Sequence, residues 1–230
     1  MRIILKSLVF FFVCLILAFQ NKTFANSYVK KKIQFLKYYE EDNIKVLNNS
    51  YVTKEEIVNK IQIKDKNFFS LNLRKISNQI LSIKEIKSIR TEKKFNGDIL
   101  LFINEKEPIS LWLRSEEKYL IDHNGEILKI KKNKFKDLLV VKGIDANVNA
   151  SHIIKNINIF PKIKNNLNHL EFISKYRWDL HFKDNIIVKL PYRETGKALK
   201  FLSSLLKNND VNINQFKIID MRVNGKIFLR

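Results

Sequence analysis

Residues 86–105 read IKSIRTEKKFNGDILLFINE, and their pattern decides the fold of the first half of the chain. Ile99, Leu101 and Ile103 alternate with Leu100, Phe102 and Asn104, the period-2 spacing of a strand with two unlike faces. Ile86 to Lys94 is rich in polar residues but extended in character. Asn96-Gly97 lies between the two segments, the dipeptide that best accepts the positive φ angles of a type I′ hairpin turn. Toward the N-terminus the period changes to that of a helix. Leu73, Ile76, Ile80 and Leu81 fall at i, i+3, i+7 and i+8, one apolar stripe on a helix that starts near Asn72. Before it, Thr53-Lys54-Glu55-Glu56 fits a capping box, opening a helix with Ile57, Val58 and Ile61 on one face and an end near Asp65. Ile44-Lys45-Val46-Leu47 is a short strand closed by the turn dipeptide Asn48-Asn49. Residues 44–105 thus read as strand, helix, helix, strand, strand, a compact α+β unit with both helices on one face of a small sheet.

Toward the C-terminus, Pro108 closes that unit, because proline cannot donate to a central ladder. Hairpins follow. Ser110–Arg114 and Lys118–Asp122 are strand-like, and Asn124-Gly125 turns into Glu126–Ile130. Lys175–Phe182 turns at Asp184-Asn185 into Ile186–Leu190, and Phe216–Val223 turns at Asn224-Gly225 into Lys226–Arg230. Three of the five glycines follow asparagine between extended segments, which makes hairpins the expected motif. Two helical stretches interrupt them, near Ala150–Phe160 and Glu194–Lys207. The expected second domain, 107–230, is therefore β-rich, built of antiparallel hairpins with flanking helices.

Residues 8–19, LVFFFVCLILAF, form the one long apolar run, and with Ile3–Leu5 they reach the ~17–25 residues that span a bilayer. Arg2 and Lys6 precede the run, and Thr23-Phe24-Ala25 offers small residues for a signal-peptidase cut. The residues themselves support a retained anchor and a cleaved signal equally. The lysines that follow, Lys22, Lys30, Lys31, Lys32 and Lys37, pull against an N-inside orientation. The single cysteine, Cys14, lies in this run, so the rest of the chain forms neither a disulfide nor a thiolate metal site. The net charge of +20 accompanies abundant Lys, Asn and Ile and reads first as a solvated lysine surface. Attraction to anionic headgroups or to an acidic partner is the alternative.

Chemistry is sparse. The glycines are too dispersed for a phosphate loop. His123, His152, His169 and His181 lie far apart in sequence, with no paired ligand spacing, and read as scattered surface or turn residues. Ser-x-x-Lys recurs at Ser27, Ser115 and Ser204, as a lysine-rich chain produces by chance, without the companion motifs of the penicillin-recognising enzymes. Asp122 and Asp220 stand where a strand meets a turn and are expected to accept backbone N–H groups. No zinc-finger spacing, RNP-type strand or basic helix suggests nucleic acid. The expectation is a binding module, not an enzyme, with no catalytic residue, cofactor, metal or small-molecule substrate.

Several blocks resemble one family. Glu105-Lys106-Glu107-Pro108-Ile109-Ser110-Leu111-Trp112 is similar to E-[RK]-x-P-[IV]-A-x-W of the bacterial division proteins FtsQ/DivIB. Tyr119–Ile127 is similar to the family's "liD..G.vi" hairpin, Tyr176-Arg177-Trp178-Asp179-Leu180 to R-R-W-D-[LI], Val188-Lys189-Leu190-Pro191 to v-x-L-P, and Ile219–Val223 to its "vDlR" strand. There are departures: Tyr176 stands for an arginine, and Leu138–Val141 lacks the usual L-P before Gly143. The resemblance implies a short N-terminus and transmembrane signal-anchor (1–22), a juxtamembrane stem (23–43), a POTRA domain (44–106) and a β domain (107–230). It implies a single-pass inner-membrane scaffold of the divisome, with its domains on the periplasmic side at the septum. Such a protein holds FtsB and FtsL, meets other divisome proteins, and helps recruit and regulate septal peptidoglycan synthesis. The alternative is a cleaved, exported binding protein with a POTRA-like domain. The implied partner site is a C-terminal edge strand, Arg222–Arg230, that accepts a partner strand by β-augmentation; the alternative is that this strand is an interior ladder member. Arg177, Arg222, Val223, Asn224 and Gly225 match family contact positions, and Lys226 and Phe228 lie on the strand itself, which ends the chain uncovered. A lesser expected surface is the POTRA face around Ile44–Leu47 and Lys60–Phe69.

Overall fold

The computed structural model describes residues 41–63, 70–131, 135, 137–208, 213–223 and 225–230. They divide into two compact units between Glu105 and Lys106. The apolar run at 8–19, the stem as far as residue 40, and residues 64–69 of the expected POTRA face lie outside the described residues. Among those described, no helix is long and apolar enough to cross a membrane.

The first unit runs β1 (Ile44–Leu47), α1 (Lys54–Lys60), α2 (Leu73–Ile80), β2 (Ile86–Lys93) and β3 (Ile99–Glu105), the order expected. β3 is central, parallel to β1 and antiparallel to β2. Its inward residues Ile99, Leu101 and Ile103 are buried in one core with Ile57 of α1 and Ile76 and Ile80 of α2. Both helices are capped as their sequences demand. Thr53 Oγ1 accepts from the Glu56 amide at 3.2 Å, and Asn72 Oδ1 from the Lys75 amide at 3.1 Å.

Three details differ from expectation. α1 stops at Lys60, with Ile61 already extended at φ −94°, ψ 133°. Ile61 and Ile63 are both buried around an exposed Gln62, and residues two apart share a face only in extended chain. Leu81, expected on the α2 stripe, caps the helix at the surface, while Ile83 is buried instead. The β2–β3 turn is not type I′, because only Gly97 of the Asn-Gly pair has positive φ. The Gly97 amide donates to Lys94 O at 3.0 Å and the Lys94 amide to Asp98 O at 2.8 Å, the pattern of a three-residue loop with a glycine bulge.

The second unit runs β4 (Ser110–Arg114), β5 (Glu117–Ile121), β6 (Ile127–Leu128), β7 (Val140–Lys142), α3 (Ala146–Asn158), α4 (Pro161–Asn166), β8 (Leu167–Ile173), β9 (Arg177–Phe182), β10 (Ile187–Lys189), α5 (Thr195–Leu205), β11 (Ile218–Asp220) and β12 (Phe228–Leu229). The described strands form one sheet in the order β12-β11-β10-β9-β8-β7-β4-β5-β6. This corrects the expectation of antiparallel hairpins alone, since β4–β7, β7–β8 and β10–β11 are parallel. For β7–β8 and β10–β11 the cause is the helices: α3 and α4 carry the chain from β7 to β8, and α5 carries it from β10 to β11, as crossovers that return the strand in the same direction.

Register sorts the residues of this sheet by face. Trp112, Val141, Leu170, Leu180, Val188 and Ile219 are consecutive partners across six strands. All are buried in one core with Ala150, Ile153 and Ile157 of α3 and Leu199 and Leu202 of α5. Each large side chain of this row contributes ~1.5–3 kcal/mol by being taken from water. The approach of the strands is close enough to fix Gly143. Its φ is +110°, and a Cβ there would lie 2.4 Å from the Phe172 carbonyl oxygen, so no other residue fits.

The boundary motif is divided between the two units. Glu105 ends β3, and its carboxylate accepts from the amides of Ser50 (2.9 Å), Tyr51 (3.0 Å) and Val52 (2.8 Å), fixing the loop between β1 and α1. Lys106 belongs to the second unit, where its ammonium lies 2.5 Å from Glu126 and 3.3 Å from buried Asp122. Replacing Glu105 by Gln keeps the shape and removes the charge that three amides share. It is expected to cost the first unit about 1–3 kcal/mol, read as a lower denaturant midpoint for a probe in that unit. An unchanged midpoint would show that the carboxylate does not hold the loop.

Candidate partner-binding edge

Among the described strands, β12 stands at the edge, bound to β11 alone. The Arg230 amide donates to Ile218 O, and the Ile218 amide to Arg230 O, both at 3.0 Å. That doubly bonded pair makes the next one, Ile219–Leu229, a non-bonded pair, so the amide and carbonyl of Leu229 point away from the sheet. Phe228 and Leu229 stay 44% and 40% exposed. Leu229 extends the apolar row beyond Ile219, and Phe228 lies beside Asp220 on the opposite face.

That opposite face carries a row of charge. Lys142, Glu171, Asp179, Lys189 and Asp220 are consecutive partners on β7 to β11. Asp179 and Asp220, both buried, therefore flank Lys189. Each carboxylate is also held by an arginine two residues away. Arg177 Nε donates to Asp179 Oδ1 at 3.1 Å, while Arg222 donates from Nε and Nη2 to the two Asp220 oxygens at 2.9 and 2.6 Å. Asp220 Oδ1 also accepts the Arg222 amide at 3.1 Å, and Asp122 Oδ1 accepts the amides of Asn124 and Glu126 at 2.9 Å. Both aspartates thus hold turns, as their positions in the sequence suggested. The Arg222 guanidinium beside Asp220 pulls its carboxyl down to about 2, against the opposing effect of burial.

The structure places the expected site residues at one end of the sheet. Arg177 opens β9 where β10 and β11 end, and Arg222 and Val223 follow β11. Val223 and Lys226 are exposed. Gly225 has φ +73° with open space where a side chain would start, so the turn's backbone requires glycine there and packing does not. Asn224 lies outside the described residues. Tyr176 and Tyr192, outside the expected site residues, are both exposed and meet edge to face at 6.0 Å between ring centroids, next to Arg177 and just beyond β10.

The histidine reading needs correcting as well. His169 and His181 are register partners on β8 and β9, stacked 4.2 Å apart at 12°. Burial, then the facing ring and Lys142, push His169 down to about 4, so it is neutral at neutral pH. His123 and His152 remain apart from this pair.

Fold and site define a two-unit protein in which a small β-α-α-β-β unit precedes a large sheet with an open edge strand. Comparison with known proteins gives the same division: the POTRA domain, FtsQ-type, matches residues 42–106, and the cell division protein FtsQ/DivIB C-terminal domain matches 110–222. The chain belongs to the FtsQ/DivIB family of cell division proteins. It is 31% identical over 167 residues to "Cell division protein FtsQ" of Rickettsia prowazekii, covering 73% of this chain and 62% of that protein. Against the Rickettsia typhi protein it is 30% identical, covering 73% and 63%, so it spans less than two thirds of the length of either relative. Against that of Agrobacterium fabrum it is 22% identical, covering 80% and 59%. The structure is similar to that of the major extracytoplasmic domain of DivIB from Geobacillus stearothermophilus, with a TM-score of 0.34, 15% identity, and coverage of 47% of this chain and 99% of that one. The second family match ends at Arg222, so β12 lies beyond it.

The Asp220–Arg222 pair gives a pH signature. Asp220 titrates lower in the folded chain than its ordinary 3.8. Its stabilising contribution is therefore fully present above pH 3.8 and disappears as the pH falls to about 2. Asp220→Asn is expected to lower the melting temperature at pH 7, with the gap from wild type closing across that acid window. A gap that stays constant with pH would show that the carboxylate's charge is not what holds the turn.

Proposed function

We propose that the protein is a membrane-anchored scaffold of the bacterial divisome that captures a partner strand on β12. The observation that carries this reading is the open edge itself: outward backbone groups at Leu229, flanked by exposed Phe228 and Val223. An incoming strand would add ladder bonds of ~0.5–1.5 kcal/mol each, together with side-chain contacts beside Phe228 and Leu229. In this reading the partner is the FtsB/FtsL pair. Arg177, Arg222, Asn224, Gly225 and Lys226 frame its approach, and the two arginines favour an acidic segment. The apolar run at 8–19 is then a retained single-pass anchor in the inner membrane, with both units on the periplasmic side at the septum. There the scaffold helps recruit and regulate septal peptidoglycan synthesis together with other divisome proteins.

Phe228→Asp puts a charge on the edge strand of the second unit. Expected is the loss of FtsB/FtsL capture in a pull-down with the full chain, with the first unit still folded by its own denaturation transition. Capture that survives the substitution would place the partner elsewhere. Alkaline extraction of membranes addresses the anchor separately: a shortened chain released to the soluble fraction would favour the exported form cleaved after Ala25.

A further inference from the structure

The outer face of the second unit's sheet holds a group of side chains that the strand-capture reading does not use. His169 and Glu171 are two apart on β8 and so share a face, and His181 is the cross-strand partner of His169 on β9. The two imidazoles stack at 4.2 Å, and His181 Nε2 lies 2.9 Å from Glu171 Oε2. One donor atom from each of the three residues lies within 4.8 Å of the other two, and each side chain is half-buried. Among the described residues, this is the one place where three such donors converge.

We infer that His169, Glu171 and His181 form a binding site for a single divalent transition-metal ion of the zinc class. Two imidazoles and one carboxylate are the ligand set of an open tetrahedral zinc site, in which the fourth position takes water or an incoming ligand. Metal–ligand distances of about 2.0–2.2 Å require donors about 3.3–3.5 Å apart. Glu171 and His181, at 2.9 Å, are closer than that, so an ion would part this pair by about 0.5 Å while the stacked ring of His169 turns about its side-chain bonds. Ligand type selects the ion: imidazole suits zinc, copper and nickel, whereas magnesium and calcium require an all-oxygen shell. The scaffold suits the task because the donors stand on adjacent antiparallel strands, whose register the buried Leu170 and Leu180 fix from the other face. A site on paired strands keeps its geometry better than one on loops.

The surrounding charge is mixed. Lys142 faces the group from β7 and opposes a cation, while Asp179 lies beside Glu171 on β9 and is itself held by Arg177. The site therefore carries Glu171 as its one carboxylate not held by an arginine, which makes for modest affinity and for ready exchange.

The test is titration of the full chain with Zn²⁺ alone, followed by calorimetry and thermal unfolding. Expected are one bound ion per chain, a raised melting temperature, and no displacement by excess Mg²⁺. Loss of an outer partner alone typically weakens a metal site about 10–100-fold, so His181→Ala and His169→Ala should each weaken binding at least about tenfold. Glu171→Gln keeps the side chain's size and hydrogen-bonding capacity and should weaken binding in the same direction, even if an alanine variant folds poorly. No uptake by the wild type would overturn the inference. So would an affinity unchanged in all three variants, which would assign the uptake to other residues.

Discussion

The register that sets Leu170, Leu180, Val188 and Ile219 side by side is the constraint on which the second unit depends. Because strand side chains alternate, fixing that apolar row under α3 and α5 also fixes the row on the other face, from Lys142 to Asp220. A slip of one residue in any strand from β7 to β11 would send an apolar side chain to solvent and a charged one into the core. Burying an unpaired charge costs far more than one surface ion pair returns, so the apolar row sets the register and the charges follow. The pairing of Asp179 and Asp220 on either side of Lys189, each tied to its own arginine, is what remains to be satisfied once the leucines are placed.

The same constraint explains the boundary. Glu105 and Lys106 are adjacent in sequence but serve different units, because β3 ends between them. Glu105 closes the loop that starts α1, and Lys106 balances Asp122 and Glu126 at the turn after β5. Two adjacent residues of one family-like block are therefore structural, each in its own unit. Arg177 and Arg222 are comparable: each is committed first to a buried aspartate, and only the remaining exposed part of the side chain can meet a partner.

The first unit was almost fully legible in the sequence, because its two helices and its central strand each have an unambiguous period and the caps at Thr53 and Asn72 use local hydrogen bonds. In the second unit the hairpins and the two longer helices were legible, and the order of the strands in the sheet was not. β7 and β11 span three residues each, too short to show a period, and so the parallel pairings made by α3, α4 and α5 went unread. Among the described residues, the turns that do place two consecutive residues at positive φ are Ser115-Glu116 and Ser174-Lys175. These residue types give no local signal for that conformation; the strands on either side impose it. His169 and His181 were invisible as a pair for a related reason: residues twelve apart meet only through the β8–β9 register, which the sequence alone does not state.

β12 shows how little the sheet itself holds its last strand. It has two residues, few ladder bonds, and two large apolar side chains left near the surface. A strand this short is kept in place mainly by what surrounds it: the Arg222–Asp220 clasp before the turn, glycine at the turn, and the bonds of Arg230 to Ile218 after it. Exposed edges of this kind promote unwanted pairing unless they are charged or short, and this one is both short and bracketed by Lys226 and Arg230. Brevity limits what can pair with it by chance, the flanking charges are both basic, and the apolar row that runs to Ile219 ends at a half-exposed Leu229.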